Sequence, residues 1–375
     1  MKYTTIAAAA MLAISGPVFA QSSVTLYGIL DTGIELVTHA NAAGDKVIRM
    51  PGITGSVPSR WGLRGKEDLG GGLAAIFVLE NGFNTRAGDM NQGGRLFGRQ
   101  AWVGLSSRYG ALTFGRQYTM SFWAITDSDI LGPDIYGGVG GLDAYIPNSR
   151  SDNTVAYKGT FYGVTVGATY SFGRDSSGTG NSPGQGTCAG SIPGNSQACR
   201  QWSAMLRYDA SAFGVAASYD EQHGGPGAAA NFFNGLAPIA LTNSSDKDAR
   251  TQLNGYIKAG QAKVGGGWLG RRVETAARDV RTDIFYLTGS YYVTPYFVMD
   301  GGVYHTIDKQ QDTRATSAAL RGTYLLSKQT SVYLQSGYLF NSAKAHYTLS
   351  AGGPGATPAA GVGQLGVMAG ITHSF

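Results

Sequence analysis

Gly361-Val362-Gly363-Gln364-Leu365-Gly366-Val367-Met368-Ala369-Gly370-Ile371-Thr372-His373-Ser374-Phe375 is the stretch whose reading decides the fold. Leu365, Val367, Ala369, Ile371, His373 and Phe375 share one parity, and Gln364, Gly366, Gly370, Thr372 and Ser374 share the other. Side chains alternate between faces along a strand, so one face meets an apolar medium and the other meets small or polar groups. With an aromatic as its last residue, the segment suits the strand that a membrane-spanning barrel needs to close at an interfacial aromatic girdle.

Working outward, similar alternation recurs at Val24–Leu36, Leu73–Glu80, Val164–Phe172, Phe213–Tyr219 and Val332–Phe340, none of it with helical spacing. The connections switch between short and long. Tight turns read at 67–71, 107–110, 158–163, 209–214, 260–261, 293–295 and 326–330. Longer, more polar gaps lie near 38–56, 82–94, 118–149, 174–200, 221–250, 274–281, 307–314 and 342–360. Seven turns and eight loops make fifteen connections and hence sixteen strands, with both termini on the side of the short turns. The expected fold is all-β: a transmembrane antiparallel up-and-down β-barrel of 16 strands with a polar, water-filled interior. A soluble β-sandwich also alternates, but it rarely repeats short and long connections over so long a chain.

Composition agrees. Glycine, at 57 of 375 residues, is about twice the usual ~7 per cent, and charged residues make up 14 per cent against ~25 per cent in typical soluble domains. Lys2, the apolar run Ile6–Ile14 and Val18-Phe19-Ala20 predict a secretory signal over residues 1–20, leaving 21–375 as a single barrel domain. The run is too short for a spanning helix, which needs about 18 residues. Without long apolar helices, a closed barrel is the remaining way to satisfy backbone groups in lipid. The 29 basic and 24 acidic residues give a net charge of +5, or +4 without Lys2, and they form no dense basic run. That excludes a phosphate-tracking surface, so no nucleic-acid partner is expected.

Several motifs carry no chemistry. Gly361–Gly366 matches GxGxxG but lies inside the final strand, not between a strand and a helix. Asp127-Ser128-Asp129 followed by Gly132 begins like a calcium loop, yet Leu131 and Gly138 stand at positions where ligands are required. His39, His223, His305, His346 and His373 are scattered without metal-ligand spacing, and no GxSxG elbow occurs. Neither a metal, a cofactor nor a catalytic residue is expected. Cys188 and Cys199 share a Gly/Ser/Pro/Asn-rich segment; in an exported chain they read as one disulfide closing a surface loop, with two free thiols as the alternative.

The gap from Tyr118 to Ser149 differs from the others. It holds Asp127, Asp129, Asp134 and Asp143 without Lys or Arg, together with Phe122, Trp123, Ile125, Ile130, Leu131, Tyr136 and Tyr145. Such apolar content argues for packing, and a loop folded inward to constrict the lumen accounts for both its carboxylates and its anchors. Arginines recur near the strands that border it: Arg60, Arg64, Arg99, Arg116 and Arg150. In Arg60-Trp61-Gly62-Leu63-Arg64, placing Trp61 and Leu63 toward lipid turns both arginines to the lumen. Arg116 shares parity with Leu112 and Phe114, so a lumenal Arg116 requires an irregularity at Gly115.

The chain resembles the general diffusion porins of Gram-negative outer membranes, most closely the betaproteobacterial branch. The resemblance is carried by Ser22–Asp31 (SSVTLYGILD), Ser59–Leu73 (SRWGLRGKEDLGGGL), Phe97–Leu105 (FGRQAWVGL), Leu112–Tyr118 (LTFGRQY), Arg150–Tyr157 (RSDNTVAY) and Gly370–Phe375 (GITHSF). It implies a homotrimer of sixteen-stranded barrels in the bacterial outer membrane, each narrowed by its third loop into an eyelet. Arg60, Arg116 and Arg150 would be wall arginines, with Gln100 or Arg99 near a fourth basic position. Asp129 and Asp134, joined by Asp127, would supply the facing acidic side. Phe375 would be the signal read by the barrel-assembly machinery, and lipid and lipopolysaccharide would surround the exterior.

The implied function is passive diffusion of small hydrophilic solutes and ions, with arginines on the wall leaning it toward anions. Arginine suits that wall because its guanidinium stays charged beside other cations, and facing charges across confined water favour small polar solutes. Two alternatives are a substrate-specific channel of the same fold and an enzyme built on the barrel, the latter requiring a Ser, His and Asp assembled across strands.

Overall fold

The computed structural model describes residues 23–375 except 177–184, 232–233, 235–236, 277 and 351–355. The expected signal segment over 1–20 lies outside the described residues. Sixteen strands form the wall: β1 Ser23–Val37, β2 Arg60–Gly70, β3 Leu73–Gly82, β4 Gln100–Ser107, β5 Gly110–Tyr118, β6 Arg150–Phe161, β7 Val164–Ser171 and β8 Gln201–Asp209 make one half. The other half is β9 Phe213–His223, β10 Lys247–Ala259, β11 Ala262–Glu274, β12 Asp279–Thr294, β13 Phe297–Asp308, β14 Thr313–Leu325, β15 Thr330–Asn341 and β16 Gln364–Ser374. Each pairs antiparallel with its sequence neighbours, so the topology is the up-and-down meander expected from the spacing.

Closure is made by the carboxy-terminal segment. β16 pairs with β1 from Ile29↔Ser374 to Val37↔Gly366, and Phe375 exchanges two backbone hydrogen bonds with Gly28 at 3.0 Å each. Closing the sheet removes the edge whose unpaired groups lipid could not satisfy. Leu365, Val367, Ile371 and Phe375 are exposed on the outer face, while Gln364 and Met368 are fully buried on the inner one. The same polarity holds around the wall, with Val24, Leu26, Ile34, Leu253, Leu287 and Leu320 all more than half exposed. Aromatic side chains gather at both rims: Tyr109, Tyr162, Tyr208 and Tyr296 near the short turns, Tyr170, Phe172, Trp202 and Phe340 near the long loops. An apolar band between aromatic girdles is what the bilayer and its interfaces select.

Two of the loops expected to be long are short. The gaps anticipated near 274–281 and 307–314 shrink to 275–278 and 309–312, because the β11–β12 ladder pairs as far as Glu274↔Asp279 and the β13–β14 ladder as far as Asp308↔Thr313. Hydrogen-bonded pairing continues where hydrophobic alternation has stopped, so periodicity underestimates strand length outside lipid. Cys188 and Cys199 are disulfide-bonded within the loop between β7 and β8, and both are buried.

The third loop, 119–149, turns into the lumen. It contains two short helices, α1 Met120–Ile125 and α2 Gly138–Leu142, and packs Ile125, Leu131, Ile135, Tyr136, Val139, Tyr145 and Ile146 against Leu269, Ile284, Tyr304, Tyr333, Leu339 and Met368 of the inner wall. The principal apolar core therefore lies inside the barrel, beneath this loop. Gly366 shows why a small residue is needed there: a Cβ at this position would meet the Tyr136 ring at 2.6 Å.

Candidate functional site

β5 is interrupted so that Arg116 can face inward. Its register with β6 shifts between Gly115 and Gln117, and Gly115 adopts φ +128°, where an added Cβ would lie 2.2 Å from the Ala101 carbonyl oxygen. Only glycine fits, and the bulge re-aims the next side chain. Arg116 then donates through Nε to the Gly98 carbonyl at 2.7 Å and through Nη1 to Asp152 at 2.6 Å.

Beside it runs a chain of polar groups. Tyr27 and Arg99 donate to the two Glu80 oxygens at 2.9 and 2.7 Å, and Arg60 Nε lies 3.9 Å from the same carboxylate. Arg99 and Arg150 both donate to the Tyr118 hydroxyl, at 2.8 and 2.6 Å, and the Arg150 guanidinium lies over the Tyr118 ring. Three guanidiniums thus share one carboxylate and one phenol.

This wall opens on a cavity of about 420 Å³. Arg60, Glu80, Arg99, Gln100 and Tyr118 line it from the wall; Phe122, Ile125, Ile130, Leu131, Pro133, Val139, Ile146 and Pro147 line it from the third loop. Of the arginines in the polar chain, Arg60 has the most accessible side chain, at 23 per cent, against 8 per cent for Arg99. Arg116 and Arg150 face inward but lie buried beneath Asp152, Gly98 and Tyr118, outside the cavity lining. Arg64 also faces the lumen, nearer the short-turn rim, with its guanidinium over the Tyr27 ring. Within the cavity the expected row of exposed wall cations therefore reduces to Arg60, because Arg99, Arg116 and Arg150 are all buried and drawn into hydrogen bonds with Glu80, Tyr118, Gly98 and Asp152.

The loop carboxylates do not form a row facing these arginines. Asp127 is bonded by Lys263 at 2.9 Å and by Arg207 at 2.5 Å; Asp134 is bonded by Arg321 and by the Tyr136 backbone NH, both at 2.8 Å. These partners stand on β8, β11 and β14, the wall against which the loop is seated. Asp129 alone of the three lines the cavity, accepting from the Tyr304 hydroxyl at 2.7 Å. Burial, with no cation partner among the described residues, pushes its carboxyl up to about 6. Burial would also raise Asp127, but the bonds from Arg207 and Lys263 hold it below the usual range.

Several groups escaped the sequence reading: Glu80, Tyr27, Tyr118, Arg207, Lys263 and Arg321. A usable signal existed, since a charged residue within a membrane strand must point to the lumen or to a partner. Which lumenal charge meets which loop carboxylate had no such signal, because the pairs lie 80 to 187 residues apart in the chain.

Comparison with known proteins gives a consistent result. A family model described as Gram-negative porin matches residues 7–344. Outer membrane porin protein 32 of Delftia acidovorans is 31% identical over 385 residues, covering 98% of each chain. An outer membrane porin protein of Bordetella pertussis is 42% identical over 186 residues; that match covers 46% of this chain and 48% of the relative, about half its length. Among solved structures, an anion-selective porin from Comamonas acidovorans superposes with a TM-score of 0.76 at 26% identity, covering 95% of this chain and 100% of that one.

Proposed function

The chain belongs to the Gram-negative porin family, and from that premise we infer that its lumen is a passive route for small hydrophilic solutes and ions across the bacterial outer membrane, leaning toward anions. It is a multi-pass β-barrel channel of that membrane. The observation that carries the anion preference is the asymmetry of the constriction: Arg60 is the accessible charge of the cavity wall, while Glu80 is bonded by Arg99, and Asp127 and Asp134 are held by Arg207, Lys263 and Arg321. The similar porin from Comamonas acidovorans is anion-selective, which supports the same direction.

Physically, a guanidinium beside confined water lowers the energy of a passing anion and raises that of a cation. Unit charges 4 Å apart interact by about 1 kcal/mol in bulk water and ~4 kcal/mol near a protein surface, enough to bias permeation without trapping the ion. The zero-current potential across a planar bilayer under a salt gradient tests this. The sign expected is that of an anion-preferring pore, and a cation-preferring potential would remove the claim. Potassium chloride conductance that saturates, where a diffusion pore would show conductance rising with salt, would point instead to a substrate-specific channel.

Three further parts of the proposal rest on family membership. Removal of residues 1–20 accompanies export, assembly produces a homotrimer, and the barrel-assembly machinery reads Phe375. Lipid and lipopolysaccharide would contact the exposed apolar exterior. A monomeric mass in mild detergent would remove the trimer while leaving the channel intact.

A further inference from the structure

We propose that the constriction favours amphipathic organic anions, a carboxylate on a compact aromatic or branched apolar body, over small hydrophilic anions of equal charge. The inference rests on the anion-conducting reading and names the class of solute that the same site takes. Its basis is what stands opposite the cations. A constriction with charges on both sides orders its water and rejects apolar groups; here the facing surface is apolar. Phe122, stacked on Tyr118 with ring centroids 3.7 Å apart, is only half-buried, and so are Ile130, Pro133 and Pro147 of the same lining. Asp127 and Asp134 are turned to Arg207, Lys263 and Arg321, so that Asp129 is the one loop carboxylate in this lining among the described residues.

Charge and size agree with a monoanion. Of the guanidiniums that line the cavity, Arg99 is paired with Glu80 and Arg321 with Asp134 and Asp300, leaving Arg60, 3.9 Å from Glu80, as the lining cation without a close ion pair among the described residues. Arg60 donates through Nη1 to the Pro58 carbonyl at 3.1 Å, and its Nη2 carries no partner among the described residues, leaving a donor for a carboxylate. A volume of about 420 Å³ falls in the range of cavities that take small molecules. A ring held by its carboxylate at Arg60 would cover loop surface that water otherwise wets, which is a favourable exchange.

The test uses the full chain in planar bilayers in symmetric potassium chloride, with benzoate, acetate or benzamide added. Benzoate is expected to reduce the chloride current saturably, with a half-blocking concentration about tenfold below that of acetate, given the apolar area it covers. Uncharged benzamide is expected to block no better than acetate. Ile130→Ser should raise the half-blocking concentration of benzoate roughly threefold and leave that of acetate in place. Equal block by benzoate and acetate in a conducting, anion-preferring channel would overturn this inference alone. Absence of conductance would overturn the channel reading as well.

Discussion

Arg60 is the residue on which ion preference turns, because it is the accessible member of a cluster whose other cations are committed to Glu80, Tyr118 and Asp152. Arg60→Glu changes the charge at the cavity by two units. The ratio of anion to cation permeability should fall of order tenfold, read as a shift of the zero-current potential toward cations. An unmoved potential would place the ion path elsewhere. Gly115 is the second decisive residue. Gly115→Ala forces a Cβ into the Ala101 carbonyl at a φ that side chains rarely adopt, a cost of about 2 kcal/mol or more. The variant should unfold at lower urea concentration in detergent, and a stability equal to the parent would show that β5 can relax around the bulge.

At the scale of the element, the third loop decides both the width and the charge of the passage. Gly366→Val places side-chain atoms where the Tyr136 ring now lies, so the loop should be lifted from its seat toward the arginine wall. Single-channel conductance is expected to fall, with more frequent closures; conductance equal to the parent would mean that the ring can move without moving the loop. The loop's charge should also depend on pH. Burial raises the Asp129 carboxyl to about 6, so the fold favours its protonated form. Negative charge at the cavity is therefore present above pH 6 and lost below it, and anion preference should increase on acidifying from pH 7 to 5. Stability follows the same linkage: the seat is firmest when the carboxyl is protonated and weakens as pH rises through about 6. Asp129→Asn should flatten the selectivity profile, and an unchanged slope would assign the dependence to another group.

At the scale of the whole molecule, stability is organised inside out, with apolar residues facing lipid and a polar interior braced by one inward loop. Val367 belongs to the lipid-facing half of the closure seam, paired to Leu36. Val367→Arg should cost ~2–4 kcal/mol in folding into vesicles if it lies near the bilayer midplane. A folding yield like that of the parent would contradict the assignment of this face to lipid. Alternation at Val24–Leu36 and Leu365–Phe375, together with the switching of short and long gaps, was sufficient to read sixteen strands and their order. Strand ends were not legible, as at 274–281, because water imposes no parity on residues beyond the membrane.

What the sequence determined by itself was the wall: which residues alternate, how many staves there are, which face meets lipid, and that Arg60 faces the lumen while Arg116 needs a break at Gly115. These are local properties, set by a two-residue period and by the chemistry of the medium on each side. Only the tertiary structure decided which charges remain available to a passing ion. Arg116 and Arg150 carry the same charge as Arg60, yet they are buried behind hydrogen-bonded neighbours. Asp127 and Asp134 meet Arg207, Lys263 and Arg321 only because the third loop docks on the far wall. That docking is fixed by apolar contacts of Tyr136, Ile135 and their neighbours with strands distant in the chain, and no local pattern encodes the side on which such a loop comes to rest.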